Sequence, residues 1–238
     1  MNQMRTWALA LVMDLSLTLA PVTSHGGNFD VTPIRLQLES ESQVGTLSLR
    51  NSGSHPILVQ AELMSWSGGS KLKSSRDLLV NPPIFSLGPN KSQVIRVALS
   101  PGLKPRKDRE SAYRLYLREI PQRLERGDPL LQTALRVGIP VFISPEIKTR
   151  EVRWEAQETS PGEIRLRAIN AGTVHVRFSR LTMGEPTLKP DQQRDVRNYL
   201  FPGQSQTWSF RWSGGARVAL LAQTDEGTLS AELAVKKK

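Results

Sequence analysis

Cysteine is absent from the chain, histidine occurs three times, and no uninterrupted apolar run approaches the roughly 18 to 20 residues that span a bilayer. Each shortage excludes something. Without a thiol there is no disulfide framework, no thiolate zinc site and no cysteine nucleophile, and three scattered imidazoles, His25, His55 and His175, leave little for a metal site. Neither a metal nor a cofactor is expected. What is present is 32 Lys+Arg against 22 Asp+Glu, a net charge of +10, and 38% hydrophobic residues in 238. At usual domain sizes this length makes one large domain or two of roughly 100 residues each, and two are expected.

Met1 to Arg5 carry one positive charge, Trp7 to Leu19 are almost wholly apolar, and Pro21 to Ser24 offer small residues suited to cleavage. This reads as a secretory signal peptide over residues 1–24. Asp14 interrupts the apolar run and argues against a retained anchor, so the mature chain is expected to be exported without membrane insertion. Loss of Arg5 and Asp14 cancels in charge and leaves +10.

After Gly27 the chain becomes a series of short segments with period-two alternation, bounded by Gly, Pro, Asn or Ser, which is an all-β pattern. The strands expected first are Phe29–Glu39, Val44–Arg50, Ile57–Trp66, Val94–Leu99, Ala112–Ile120 and Leu130–Ile143. Ser144 to Lys148 read as a linker, and the pattern resumes at Val152. Shorter strands follow over Ile164–Ile169, Val174–Leu181, Gln206–Phe210, Val218–Thr224 and Thr228–Val235. Such spacing predicts two immunoglobulin-like β-sandwich domains, 25–145 and 146–238.

No nucleophile with a base, paired carboxylates or ligand cluster has a recognisable spacing, so an enzyme is not expected. Asp108 and Glu110 form a near pair, but within the charge-rich run Lys104 to Glu110 they read as a solvated loop. His55 lies in a turn and His175 alternates with Val174 and Val176, each suited to a surface or structural role. A net charge of +10 raises nucleic acid as a partner. The basic residues, however, are spread along both halves, with no glycine-and-aromatic segment of the kind that stacks bases. Export points the same way, and acidic partners or carboxylate groups suit the charge better.

Leu130–Ile143 is longer than an ordinary strand. Its odd positions, Leu131, Thr133, Leu135, Val137, Ile139, Val141 and Ile143, make one face that is apolar except at Thr133. Pro140 cannot donate to a ladder and places its N side at an edge or bulge. A long edge strand with an apolar row needs a cover. The residues allow it either as an ordinary core strand or as a strand that reaches beyond its own sheet.

Several segments together resemble the periplasmic chaperones of the chaperone-usher pathway, which assemble pili and fimbriae. Tyr113 to Pro121 (YRLYLREIP) looks like the family's sixth strand, and Leu131 to Pro145 like its seventh, ending in Phe-x-x-Pro. Weaker support comes from Leu49-Arg50-Asn51, Ser92 to Val97, Ala168 to Val176 and Tyr199 to Gly203. The resemblance implies two immunoglobulin-like domains that bind and stabilise pilus or fimbrial subunits in the periplasm and deliver them to an outer-membrane usher. In donor-strand complementation the seventh strand completes a subunit that lacks its last strand. Leu131, Thr133, Leu135, Val137 and Ile139 would then face the subunit groove, and self-association would hide the donor strand of an empty chaperone.

The best-known branch anchors the subunit's C-terminal carboxylate with an Arg on the first strand and a Lys on the seventh. Arg35 sits where the former belongs, but the Lys position falls on Pro140, which makes the chain look like the divergent, so-called archaic branch. A carboxylate in a cleft still needs a cation, preferably a guanidinium. Arg114, with Arg96 as partner, is the expected anchor, and Arg35 is the other candidate. The short connection from Pro121 to Pro129 resembles the family's short-loop form, which implies pilus-like or thin-fibre clients. A second reading is a structural or adhesive two-domain β protein of the cell surface, in which Leu130–Ile143 is simply core.

Overall fold

The computed structural model describes residues 29–39, 42–67, 72–121, 134–184 and 192–237. The expected signal peptide, the connection after Pro121, and Leu131 and Thr133 lie outside the described residues. Among those described there is no helix, and seventeen strands form three sheets.

The first sandwich is built from β1 (Phe29–Thr32), β2 (Leu36–Leu38), β3 (Val44–Asn51), β4 (Ile57–Trp66), β5 (Leu72–Ser74), β6 (Leu78–Asn81), β7 (Ile84–Leu87), β8 (Ser92–Leu99), β9 (Ser111–Ile120) and β10 (Arg136–Ile143). One sheet has the order β1-β3-β8-β6; the other runs β2-β10-β9-β4-β5, with β7 also beside β4. Alternation decides which side chains meet between them. Leu47 and Leu49 of β3, Ile95 and Val97 of β8, Leu115 and Leu117 of β9, and Ile139, Val141 and Ile143 of β10 share one buried core.

The expected single strand Phe29–Glu39 is two strands. β1 pairs with β3 in one sheet and β2 runs parallel to β10 in the other, so the chain changes sheets across Pro33–Arg35. Proline has no N–H to give a ladder, which makes this a favourable place to leave one sheet.

The second sandwich contains β11 (Val152–Ser160), β12 (Glu163–Asn170), β13 (Val176–Gly184), β14 (Gln192–Leu200), β15 (Ser205–Arg211), β16 (Arg217–Thr224) and β17 (Gly227–Lys236). Their order, β14-β13-β16-β17-β11-β12-β15, is one continuous sheet folded over its own core. Leu166 of β12 and Trp208 of β15 lie in the same cluster as Phe178 of β13 and Leu220 of β16. β11 and β17 pair in parallel only at Ala156↔Val235 and Gln157↔Lys236.

One device recurs in both sandwiches. Asn51 ends β3 fully buried, and its side-chain amide donates to the carbonyls of His55 (2.8 Å) and Leu87 (3.0 Å) while its oxygen accepts from the Gly53 N–H. Asn170 ends β12 in the same way, donating to Val174 (2.9 Å) and Leu200 (2.8 Å) and accepting from Gly172. Each buried polar side chain satisfies turn groups that would otherwise be orphaned. Beside the second turn, a Cβ on Gly172 would lie 2.8 Å from the Glu151 nitrogen and closer still to the Thr149 carbonyl, so only glycine lets the linker approach.

The sandwiches meet at an aromatic cluster. Trp66 at the end of β4 and Phe142 on β10 pack with Phe201 and Tyr199 of the second sandwich, and Phe142 stacks on the His175 ring at 3.9 Å. Beneath the stack, the Glu110 carboxylate accepts from His175 Nδ1 at 2.7 Å, and the Glu110 N–H donates to the Thr173 carbonyl. This corrects the reading of Asp108 and Glu110 as one solvated loop. Asp108 is exposed, and hydrogen bonds from Arg106 and Arg109 hold its carboxyl below the usual range, whereas Glu110 is buried at the junction. On the linker, Lys148 donates to Glu39 at 2.6 Å, and that hydrogen bond lowers the Glu39 carboxyl against the opposing effect of burial.

Candidate functional site

β10 is paired along its whole length with β9 on one side, from Arg136↔Arg118 to Ile143↔Ser111. On the other side β2 covers only Val141, Phe142 and Ile143. From Arg136 to Pro140 the second edge of β10 therefore has no strand beside it among the described residues. An edge of this kind presents unpaired backbone donors and acceptors, a template for another strand.

The odd side chains of β10 all point toward the first core, but they differ in depth. Ile139 is 2% exposed and belongs to the core, while Leu135 and Val137 are only partly buried against it. This corrects the expectation that Ile139 faces a partner's groove: the four-stranded sheet already covers it. Leu135 and Val137 sit where the apolar row runs out toward the strand's beginning.

The even side chains face outward. Arg136 lies over the Tyr116 ring at 3.8 Å and approaches Glu62 at 3.9 Å. Gly138 leaves room for its neighbours, since a Cβ there would come within 2.8 Å of Tyr116 Cε1 and 3.2 Å of Arg114 Cδ. Phe142 closes the row against Trp66.

Arg114 is the cross-strand neighbour of Pro140. Its guanidinium carbon lies 3.9 Å from the centre of the Trp66 ring, and its buried Nε has no hydrogen-bond partner among the described residues. Among the described residues no carboxylate pairs with it. Arg35 immediately precedes the Leu36↔Val141 pair, as Pro140 does on β10, so Arg35 and Arg114 flank Pro140 from either side. Arg35 is bound: its Nη1 donates to Asp225 Oδ2 of the second sandwich at 2.7 Å.

Arg96 does not join this arrangement. It lies on β8, opposite Thr46 and Asn81, on the outer face of the four-stranded sheet and beside exposed Val94. The core of the sandwich separates it from Arg114. The expected Arg114–Arg96 pair is therefore not brought together, and Arg35 is the candidate that lies on the same side of the sandwich as Arg114, next to the end of the β2–β10 ladder.

Three features of this region were not foreseen: the Glu110–His175 contact, Asp225 as the partner of Arg35, and the aromatic cluster around Trp66. Glu110 had the one readable signal, since it ends a charged run immediately before the alternation of β9. Asp225 had none beyond its place in a turn.

Behind this geometry stand known relatives. Residues 28–148 match the family described as pili and flagellar-assembly chaperone, PapD N-terminal domain. The chaperone protein LpfB of Salmonella typhimurium is 26% identical over 172 residues, covering 70% of this chain and 72% of LpfB. The fold is also that of the chaperone in the CsuC–CsuE chaperone-tip adhesion subunit pre-assembly complex, from archaic chaperone-usher Csu pili of Acinetobacter baumannii. The match has a TM-score of 0.61 and 16% identity over 89% of this chain and all of that one. Salmonella enterica SafB, solved in complex with the SafA pilin, matches with a TM-score of 0.62 and 21% identity over 87% of this chain and 96% of that one.

Proposed function

The chain belongs to the family of pili- and flagellar-assembly chaperones, and we propose that it works in the periplasm, binding and stabilising pilus or fimbrial subunits by donor-strand complementation and delivering them to an outer-membrane usher. The observation that carries this reading is the edge of β10, open among the described residues from Arg136 to Pro140 beside an apolar row that continues outward through Val137 and Leu135. A subunit strand laid along that edge gains main-chain hydrogen bonds whatever its sequence. Its groove also takes the exposed parts of Leu135 and Val137. Full burial of an aliphatic side chain is worth about 1.5–3 kcal/mol, so these half-buried residues contribute roughly half that each. SafB with the SafA pilin and CsuC with the CsuE tip subunit are partnerships of the kind proposed.

In this reading the subunit's C-terminal carboxylate binds between Arg114 and Arg35. Guanidinium forks suit a carboxylate better than an ammonium would, and Arg114 is held in place by Trp66 without an acid of its own. The unpaired Nε of Arg114 is consistent with a site completed by an incoming acceptor.

The test is co-expression of the full chain with the pilin-like subunits encoded beside its gene, followed by periplasmic pull-down. Wild type is expected to give a stable one-to-one complex and Leu135→Asp to lose it. A chain that purifies alone, with those subunits stable in its absence, would instead favour a structural or adhesive cell-surface protein.

A further inference from the structure

The turn joining β16 to β17 presents two consecutive carboxylates. Asp225 takes Arg35 across the two sandwiches at 2.7 Å, and Glu226 takes Arg150 at 3.0 Å. The turn is held in shape from within: Thr224 Oγ1 donates to the Gly227 carbonyl, the Glu226 N–H donates to Thr224 Oγ1, and Gly227 adopts a φ of 130°. Beneath it β17 and β11 have separated, and Val152, Trp154, Val176 and Leu229 line a cavity of about 380 Å³. The turn is thus hydrogen-bonded within itself, and Asp225 and Glu226 themselves border this empty space.

We propose that Asp225 is a built-in occupant of the client's anchor: its carboxylate holds Arg35 in the empty protein, and the C-terminal carboxylate of an extended client strand displaces it. This deepens the carboxylate-anchor reading above and rests on it. Like is exchanged for like. Asp225 meets Arg35 through one nitrogen, and the Arg35 side chain is 43% exposed, so donors remain for a second carboxylate that binds both edges of the fork. Two carboxylates cannot share one guanidinium without mutual repulsion, and the cavity gives the Asp225 turn somewhere to withdraw. Arg114 and Arg35 therefore differ in the empty protein: the first is open to a client, the second only after Asp225 yields. Because Asp225 belongs to the second sandwich, the exchange also releases one tie between the sandwiches when a client arrives.

The test uses the full chain co-expressed with the neighbouring pilin-like subunit, with the dissociation constant of the purified pair measured by competition. An exposed ion pair that must be broken on binding weakens the client by its own worth, so Asp225→Asn is expected to bind about two- to fivefold more tightly, and Asp225→Ser likewise. In an Arg35→Gln background the same substitutions are expected to change nothing. Binding that is equal or weaker in both Asp225 variants, or a gain that persists without Arg35, overturns the inference while leaving the chaperone reading intact. If wild type captures no subunit, or Leu135→Asp captures it equally, that reading fails and the inference falls with it. Thermal unfolding of each variant shows whether a loss of binding is a loss of fold, and the Arg35→Gln cycle then decides.

Discussion

Under the proposed function, replacing Arg114 should separate binding from folding more sharply than replacing any other residue at the site. Its guanidinium has no ion pair among the described residues and lies 3.9 Å over the face of Trp66. A cation–π contact at a partly exposed position is worth about 0.5–1 kcal/mol, and replacing Arg114 also removes a buried Nε that lacks a partner. Arg114→Met keeps the start of the aliphatic stem and gives up only the guanidinium–Trp66 contact, so the unfolding free energy should move by no more than about 1 kcal/mol. Binding should respond differently. A charge-assisted hydrogen bond to a carboxylate contributes about 1.5–3 kcal/mol, which at about 1.4 kcal/mol per decade is roughly a 10- to 150-fold loss of subunit affinity. Arg114→Lys restores the charge but not the planar fork and should recover little. Calorimetric titration of the co-purified subunit, beside urea unfolding of the empty protein, gives both numbers. Unchanged affinity in Arg114→Met with unchanged stability would refute the anchor at this position; a collapse of stability would show that Arg114 is structural.

Two further predictions concern stability. Ile139→Ala should destabilise the empty protein by about 2–5 kcal/mol, because the side chain is 2% exposed within the core, whereas Leu135→Ala should cost far less and be felt mainly in subunit capture; equal losses in urea unfolding would refute the division of β10. The Tyr113 hydroxyl donates to Asp77 Oδ2 at 3.0 Å, and burial, then the Asp77 charge, push the phenol above its ordinary range. The folded form thus keeps a proton that the unfolded form loses near pH 10, so this contribution is whole below that pH and declines above it by up to about 1.4 kcal/mol per unit. Tyr113→Phe should flatten that alkaline decline between pH 9 and 11 in urea unfolding, and an identical slope in both proteins would sink the assignment.

Much of the fold was legible because the long strands alternate cleanly. The misreading of Phe29–Glu39 shows what alternation leaves out. Its inward residues are Phe29 and Val31 on odd positions, then Leu36 and Leu38 on even ones, and that change of phase across Pro33–Arg35 marks the passage between sheets. β5, β6 and β7 escaped because three or four residues cannot establish a period, and β14 because QQRDVRNYL buries only Val196 and Leu200. At the site, Arg96 and Arg114 are both flanked by buried residues, Ile95 and Val97 for one, Tyr113 and Leu115 for the other. Both therefore point outward, and on opposite sheets of a sandwich outward means apart. Nothing in the sequence says which sheet each strand joins, so their separation became visible only with the pairing of β8 to β3 and β9 to β10.

Under the proposed function, folding and binding divide along β10 by position, not by face. One apolar row serves both: Ile139, Val141 and Ile143 are covered by the protein's own second sheet, and Val137 and Leu135 emerge where that cover ends. The backbone edge is divided near the same place, since β2 occupies it from Val141 onward. A guest strand thus has the five residues Arg136–Pro140 to pair with, a length of about 17 Å, before it meets β2. It can run outward past Leu135 but cannot continue inward. Arg35 and Arg114 stand at that closed end, on either side of Pro140. A chain passing through would leave Arg114 without a counter-charge and its own backbone without a ladder, whereas under the proposed anchor a chain that stops there ends in a carboxylate between the two arginines. Under the proposed function it is therefore a terminus that fits here, and β2 limits the register of the guest as the arginines do.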